Sequence, residues 1–167
     1  MTILYLIFLL ILLSAAYGAV SAAPWLPTKS NDVRRMIKLA KIKPGQTVYD
    51  LGCGDGRVVF SAANAGAKAK GVEIFILPYL YAKIKSFFIK NSRIIFGDFF
   101  NINLADADVA YVFLTTGIYP RLIKKLEAEM KPGSRVIAYC FEIKHWKEKL
   151  IALDIRERRI PIYSYQV

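Results

Sequence analysis

A glycine-rich turn between a strand-like run and a helix-like run constrains the fold of this chain more than any other feature. The stretch VYDLGCGDGRVVF, residues 48–60, places Gly52, Gly54 and Gly56 at alternate positions after an apolar run. Glycine tolerates positive φ and lets the backbone come close to a ligand. In a parallel sheet, a turn at the end of the first strand lies where ligands bind. A tight turn without a ligand would need one glycine rather than three.

Strand-like and helix-like runs alternate beyond this turn, which predicts a mostly parallel sheet covered by helices on both faces. The predicted strands are TVYDL, AKGVEI, RIIFGD, DVAYVFL and SRVIAYCF, and helices are predicted over residues 56–64, 78–90 and 119–130. The tail LIALDIRERRIPIYSYQV predicts a terminal strand hairpin. The expected fold class is therefore α/β, with a Rossmann-like sheet and a C-terminal hairpin.

The N-terminus contains an uncharged apolar run from residue 3 to residue 23. About 21 helical residues span roughly 31 Å, close to the hydrocarbon thickness of a bilayer. We therefore expect one transmembrane helix before the domain. The alternative is a cleaved signal peptide, because AVSAAP offers small residues at a cleavage site. A signal peptide is disfavoured because no basic residue precedes the run, which is also longer than a usual h-region.

Basic residues follow the apolar run and none precedes it, so the positive-inside rule places the rest of the chain in the cytoplasm. The stretch SNDVRRMIKLAKI predicts an amphipathic helix, capped by Ser30 or Asn31, with one basic side. That side is either an ordinary solvated surface or docks on anionic lipid, and the nearby anchor slightly favours docking.

The sequence divides into a transmembrane anchor over residues 1–23, a pre-domain segment with the basic helix over 24–43, and one domain over 44–167. Lys and Arg total 24 against 13 Asp and Glu, a net charge of +11, which suits a nucleic acid or the inner face of a membrane. The chain has two cysteines, Cys53 and Cys140, too few for a disulfide framework, so we expect free thiols.

Acidic residues follow the strands around the glycine turn. Asp50 ends the first strand, Glu73 ends the second and Asp98 follows the third. A dinucleotide fingerprint would need a glycine where this chain has Arg57. S-adenosylmethionine carries no phosphate and needs backbone room plus acids, so Asp50 suits its ammonium, Glu73 its ribose hydroxyls and Asp98 its adenine amino group. Asp55 either caps the following helix or contacts the ligand.

The segments DLGCGDGR, GVE and GDFF resemble the class I S-adenosylmethionine-dependent methyltransferases. The apolar N-terminus, PWLPT and VFLTTGIYPRLIKKLEAEMKPGSRVIAYCFEIKHW further resemble small membrane-anchored protein-lysine methyltransferases, a family that includes mitochondrial enzymes acting on the ATP synthase rotor ring and on the adenine nucleotide translocase. The resemblance spans about Pro24 to Trp146 plus the anchor. It implies a segment at Pro24–Thr28 that closes over the site, and cofactor-binding roles for Asp50, Gly52, Gly54, Glu73 and Asp98.

The resemblance implies methylation of a lysine in a membrane-associated protein, with the bilayer as a partner. Three residues after the fourth and fifth strands are candidates on the acceptor side. Tyr119 and Trp146 are candidates to hold the amine by their rings, and Glu142 is a candidate to assist proton removal. All three residues also suit purely structural positions. We expect no metal.

Other acceptors stay open at this point. A membrane-confined small molecule, such as a quinone precursor or a lipid amine, is the strongest enzymatic alternative. RNA is less favoured, because the basic charge is not accompanied by an added RNA-binding module. A non-catalytic cofactor-binding scaffold would keep the glycine turn and lose the acids, and here the acids are present.

Overall fold

The computed structural model describes residues 26–167 together with Met1, Leu4, Tyr5, Phe8, Leu9 and Leu12. Apart from those last five positions, the predicted transmembrane span over residues 3–23 lies outside the described residues. Within the part of the chain that the structure describes, no helix combines the length and the apolar character that crossing a bilayer requires.

Strands and helices alternate along the domain as the sequence predicts, although the helix predicted over 78–90 begins and ends earlier than expected. The strands are β1 Thr47–Leu51, β2 Lys68–Glu73, β3 Ser92–Phe96, β4 Val109–Val112, β5 Arg135–Tyr139, β6 Leu150–Asp154 and β7 Ile162–Gln166. The helices are α1 Ser30–Ala40, α2 Arg57–Asn64, α3 Ile76–Ser86 and α4 Tyr119–Glu129, with short 3₁₀ turns at Phe99–Asn101, Thr116–Ile118 and Lys144–Lys149.

The seven strands form one sheet in the order β3-β2-β1-β4-β5-β7-β6. Strands β1 to β5 pair in parallel, whereas β7 is antiparallel to both β5 and β6. The chain leaves β1 toward β2 on one side and returns to β4 on the other, so the carboxyl end of β1 is a topological switch point. The predicted Rossmann-like sheet and C-terminal hairpin are confirmed.

Side chains on the two faces of the sheet form separate hydrophobic clusters. Along β4, Tyr111 faces the cluster built with α1 and α2, while Val112 faces the cluster built with α4. This alternation follows from the two-residue period of a strand. Both faces are therefore covered by helices, which leaves the strand ends to form a site. Cys53 and Cys140 are free thiols, as expected.

Helix α1 begins without the side-chain cap that the sequence predicts. Ser30 lies inside the first turn, the N-cap position is Lys29, and no side chain caps the helix. The Asn31 amide oxygen accepts a hydrogen bond from Arg34, and the backbone N–H of Asp32 donates to the Lys29 carbonyl at 2.9 Å. These local bonds satisfy the first turn and use the side chain expected to cap it.

Buried charges fasten α1 to the sheet. The Arg35 guanidinium donates to Asp32 at 2.9 Å, to Asp154 at 3.0 Å and to the Ile160 carbonyl at 3.0 Å. The Tyr139 hydroxyl donates to Asp32 at 2.8 Å. Because these partners lie on or beside β5, β6 and β7, the network holds the segment before β1 at a fixed place on the domain.

Candidate cofactor cleft

A cleft lies at the carboxyl ends of β1, β2, β3 and β4. Its volume is about 880 Å³, part of which is open to solvent. The residues that line the cleft are Leu26, Pro27, Thr28, Met36, Asp50, Gly52, Cys53, Gly54, Asp55, Arg57, Val58, Val72, Glu73, Ile74, Phe75, Gly97, Asp98, Phe99, Val112, Phe113 and Leu114.

The glycines of the turn have different parts in this cleft. Gly52, Gly54 and Gly56 all have positive φ, at 87°, 54° and 79°. Gly52 and Gly54 line the cleft, and a Cβ at Gly52 would lie 3.3 Å from the Leu114 side chain. Gly56 is not among the lining residues, and a Cβ there would meet the Phe60 ring at 2.7 Å. Two glycines thus leave room in the cleft, and the third permits packing beneath the turn.

Glu73 joins the glycine turn to the loop before α3. One carboxylate oxygen accepts the Gly54 N–H at 2.6 Å, and the other accepts the Ile74 and Phe75 N–H groups at 2.8 and 2.7 Å. Burial raises the pKa of Glu73, and these donors oppose that shift. An ionised carboxylate has about four lone-pair sites, so three donors leave capacity for about one more. Glu73 is therefore both a support of the turn and an acceptor facing the cleft.

Asp50 contributes a buried carboxylate to the lining of the cleft. Among the residues that the structure describes, none donates a hydrogen bond to this side chain. Burial, and then the negative charges of Glu73 and Asp55, raise the pKa of Asp50 to about 8. A buried polar group without a partner, beside a cleft, is expected to have a ligand as its partner. A cationic ligand group fits this position.

Asp55 and Arg57 connect the glycine turn to the segment before α1. The Arg57 Nε donates to Asp55 at 2.9 Å, and its Nη1 donates to the Thr28 carbonyl. Leu26, Pro27 and Thr28 line the cleft, as the expected closing segment would. The first two residues of that predicted segment, 24 and 25, lie outside the described residues.

Asp98 lies directly after β3 and also lines the cleft. Its Oδ1 accepts the Phe100 N–H at 2.9 Å and so caps the short 3₁₀ turn Phe99–Asn101. The other carboxylate oxygen leaves Asp98 able to accept from a ligand. The three acids that the sequence singles out after β1, β2 and β3 thus meet at one cleft.

Comparison with known protein families decides between the ligands that such a cleft could hold. The family model of the ANTKMT methyltransferase domain matches residues 50–150, which begin at Asp50 and include the other acids of the cleft. This chain belongs to the ANTKMT methyltransferase family. The predicted resemblance is confirmed.

Individual relatives of this methyltransferase support the same assignment. A protein-lysine N-methyltransferase of Saccharolobus islandicus is 38% identical over 150 residues, which are 86% of this chain and 93% of that protein. The lysine N-methyltransferase that acts on the ATP synthase c-subunit in Rattus norvegicus is 32% identical over 74% of this chain and 58% of its own length. This chain therefore spans less than two thirds of the rat protein.

A solved relative shows the cofactor class. The structure of an RNA methyltransferase from Salinibacter ruber in complex with S-adenosyl-L-homocysteine has a TM-score of 0.79 and 26% identity, and the match covers 84% of this chain and 93% of that one. The chain is an S-adenosylmethionine-dependent methyltransferase. The unpartnered Asp50 and the space beside Gly52 and Gly54 fit this cofactor. In the described residues, no group of three or more His, Cys, Asp or Glu is arranged to hold a metal.

Sequence reasoning missed several residues of this methyltransferase cleft. Ile74 and Phe75 follow β2 directly, and Phe113 and Leu114 follow β4 directly, and all four line the cleft. Their position at a strand end was a usable signal, because side chains after parallel strands meet at one edge. From the sequence, Arg57 only excludes a dinucleotide fingerprint, and the acid two residues before it, Asp55, is the signal for its ion pair.

The three residues predicted on the acceptor side lie outside this lining, as the described residues define it. Tyr119 is buried, and its hydroxyl donates to the Phe141 carbonyl at 3.3 Å. Trp146 is buried, and its indole N–H donates to the Glu127 carboxylate at 2.8 Å. Glu142 is half-buried in the loop after β5. Tyr119 and Trp146 are thus each held by a hydrogen bond to a neighbouring group.

Proposed function

We propose that this chain transfers the methyl group of S-adenosylmethionine to the Nζ of a lysine in a membrane-associated protein. The observation that carries the proposal is the 38% identity, over 93% of its length, to the Saccharolobus islandicus protein-lysine N-methyltransferase. The cleft described above supplies the binding groups such a reaction needs.

In this proposal the acids divide the cofactor between them. Asp50 accepts from the ammonium of the methionine moiety, Glu73 from the ribose and Asp98 from the adenine amino group. Because three backbone N–H groups already occupy Glu73, its bond to the ribose uses the remaining lone-pair capacity. Asp55 acts by holding Arg57 rather than by touching the ligand.

The bound cofactor supplies an electrophilic methyl group on a sulfonium. The chain aligns the acceptor with that methyl, which contributes up to about 7–11 kcal/mol. The lysine must be neutral, and with an ordinary pKa of about 10.4 this costs roughly 4.6 kcal/mol at pH 7. Apolar walls such as Phe99, Val112 and Leu114 exclude water and lower that pKa.

The acceptor-side roles of Tyr119, Glu142 and Trp146 stay predictions. The hydrogen bonds of Tyr119 and Trp146 favour a structural part for both residues. Glu142 has the greater freedom to meet an incoming lysine, since it is half-buried beside the hairpin of β6 and β7.

The membrane part of the proposal rests on the sequence. We propose that residues 1–23 anchor the chain, that residues 24–43 form the pre-domain segment and that the domain over 44–167 faces the cytoplasm. The uncharged run over residues 3–23 and the basic residues after it support this arrangement. The acceptor would then lie close to the bilayer.

RNA is the second candidate acceptor, because the Salinibacter ruber relative is named an RNA methyltransferase and this chain carries a net charge of +11. Incubating the purified chain with methyl-labelled cofactor, membranes and total RNA from its source separates the candidates. We expect protease-sensitive label that hydrolysis recovers as methyllysine, and less of it with Asp50→Asn at the same cofactor concentration. Nuclease-sensitive label would replace lysine by RNA, and label in the lipid extract would favour a membrane-confined small molecule.

A further inference from the structure

Helix α3 and the two residues after it leave an apolar stripe exposed. The side chains of this stripe are 46–84% exposed, and at 3.6 residues per turn they lie within about 120° of the helix circumference. The side opposite to the stripe carries Ala82, the buried residue of the helix. The α3 stripe consists of Leu77, Leu80, Tyr81, Ile84, Phe87 and Phe88. An amphipathic helix of a globular domain normally turns such a stripe inward.

Lysines border the α3 stripe. Lys83 and Lys85 project on its two sides, and Lys90 follows its end. None of the ion pairs found among the described residues involves these three lysines. The Lys83 ammonium lies 5.6 Å from the centre of the Phe87 ring, and the Lys85 ammonium lies 5.8 Å from that of Tyr81 and 5.3 Å from that of Phe60 on α2. Charged tips thus edge an apolar surface.

The exposed surface continues to the edge of the sheet. Phe96, at the end of edge strand β3, is 52% exposed, and its ring centre lies 5.0 Å from that of Tyr79 on α3. Soluble monomers rarely expose a large contiguous apolar patch, and such patches mark membrane or protein contacts.

We propose that the α3 stripe lies in the interface of an anionic bilayer, with Lys83, Lys85 and Lys90 at the headgroups. Interfacial helices have this composition: aromatic and aliphatic residues on one face and lysines beside them. The lysine stems follow the apolar surface while their ammonium groups reach anionic phosphates.

Charge decides against a second copy of the chain as the occupant. Residues 74–97 contain no Asp or Glu. A symmetric dimer through this face would bring unpaired lysines together, and like charges oppose association. An anionic lipid surface instead complements the lysines and the net charge of +11.

The position of α3 connects this surface to the cleft. Ile74 and Phe75 line the cleft and immediately precede the first residue of α3, Ile76. A bilayer against the α3 stripe therefore lies beside the cleft. This inference requires neither a lysine acceptor nor a membrane span over residues 3–23, so its test is independent of the proposed function.

Tryptophan quenching in vesicles tests the contact with the full-length chain. Phe88→Trp places a reporter on the stripe, where Phe88 is 84% exposed. Ile155→Trp is the matched control, because Ile155 is 66% exposed and follows β6 at the opposite edge of the sheet. In vesicles of phosphatidylcholine and phosphatidylglycerol with brominated chains, we expect the added fluorescence of Phe88→Trp to be largely lost and that of Ile155→Trp to persist.

Charge variants test the anionic partner in the Phe88→Trp background. Replacing Lys83, Lys85 and Lys90 by Gln should restore the fluorescence, as should vesicles of phosphatidylcholine alone. Replacing the exposed Lys124, Lys144 and Lys147 by Gln removes the same charge elsewhere and should change nothing. Three outcomes would each overturn the proposal. They are no quenching of Phe88→Trp, equal quenching at both reporters, and a blue shift without bromine quenching, which marks a protein contact. Equal quenching with neutral lipid would overturn it too.

Discussion

Asp50 is the residue whose chemistry most directly reports on the cofactor cleft. Its pKa is raised to about 8 by burial and then by the charges of Glu73 and Asp55. Pairing with a cofactor ammonium needs the ionised carboxylate, so binding at lower pH must release a proton. We expect cofactor affinity to fall with pH below 8, by up to about tenfold per pH unit. Calorimetry in buffers of different ionisation enthalpy measures both the affinity and the protons released.

Asp50→Asn is the control for this pH dependence. The variant should bind the cofactor more weakly than the parent at pH 8. Its affinity should change little between about pH 5.5 and 7.5, because the carboxyl whose titration causes the pH dependence in the parent is absent. A parent protein that releases no proton on binding in that range would contradict the role given to Asp50.

The same pKa shift predicts how the cofactor-free protein responds to pH. A carboxyl whose folded pKa is raised stabilises the fold below its unfolded value of about 3.9, and loses that contribution as pH rises through about 8. Asp50→Asn removes this loss. The variant should therefore gain thermal stability over the parent at about pH 9, and gain less at about pH 5. Scanning calorimetry without cofactor measures the two differences. A stability gain over the parent that is smaller at pH 9 than at pH 5 would refute the prediction.

At this scale the sequence identifies the acids of the cleft better than the residues around them. Asp50, Glu73 and Asp98 are recognisable because each follows a strand, and period-two patterns locate strands. The sequence does not show that Gly56 permits packing rather than lining the cleft, because this role depends on the Phe60 ring one turn along α2. The sequence also does not show that three backbone N–H groups bond the Glu73 carboxylate, since only the folded turn brings them near it.

Helix α1 carries a buried ion pair that should contribute to stability. Its Arg35 pairs with Asp32, which is 2% exposed. Burial opposes ionisation of Asp32, and the donors from Arg35 and Tyr139 outweigh it and lower the pKa of that carboxyl. Arg35→Met leaves a buried charge uncompensated, so we expect the free energy of unfolding to fall by about 3–5 kcal/mol. Urea unfolding followed by circular dichroism measures the change.

A neighbouring arginine provides the control. Arg34 is exposed and bonds only Asn31 among the described residues, so Arg34→Met should change the free energy of unfolding by less than about 0.5 kcal/mol. The double variant Asp32→Asn/Arg35→Met should recover part of the loss, because the unpaired charge is gone. Equal effects of Arg34→Met and Arg35→Met would show that the buried network contributes nothing specific.

Gly71 sets how closely the glycine turn and α2 approach β2. A Cβ at this position would lie 2.6 Å from the Cys53 sulfur and 2.7 Å from a Val59 methyl group. Gly71→Ala should lower the free energy of unfolding by about 1–3 kcal/mol through overpacking and weaken cofactor binding by displacing the turn. Gly117→Ala is the control, because nothing lies within 4 Å of a Cβ there. Thermal unfolding and calorimetry of both variants check this, and equal stability would refute it.

Elements are predicted from the sequence where their pattern is local. The alternation of strands and helices is local, and every predicted strand is found. The predicted cap of α1 is wrong because the Asn31 side chain bonds Arg34 rather than the backbone of the first turn. Both partners are local in the chain. The burial of Asp32 and Arg35 is not predictable from helix periodicity, because their partners are more than a hundred residues away in the chain. Asp32 is bonded by Tyr139, and Arg35 by Asp154 and Ile160.

The cleft forms only when strands that are distant in the chain pair with one another. Leu114 meets Gly52 because β4 pairs with β1, although β2 and β3 come between them in the chain. Periodicity indicates that strands exist but not which strands are neighbours, so it does not show that Leu114 lies against Gly52. The acids were predictable nonetheless, since the carboxyl ends of parallel strands share one edge in any order.

Removing the N-terminus tests the proposed membrane role of the whole chain. Deleting residues 1–23 retains Leu26, Pro27 and Thr28, which line the cleft, and Arg57, which bonds the Thr28 carbonyl. Cofactor affinity and methylation of a soluble lysine peptide should therefore be unchanged. In vesicles of phosphatidylcholine alone, which do not hold the α3 stripe, methylation of the native membrane-protein acceptor should slow by about 10²-fold, because enzyme and acceptor no longer share one membrane and their effective concentration falls. Initial rates on vesicles that contain the acceptor measure this loss. An equal rate for the truncated and full-length chains would show that residues 1–23 have no part in selecting the acceptor.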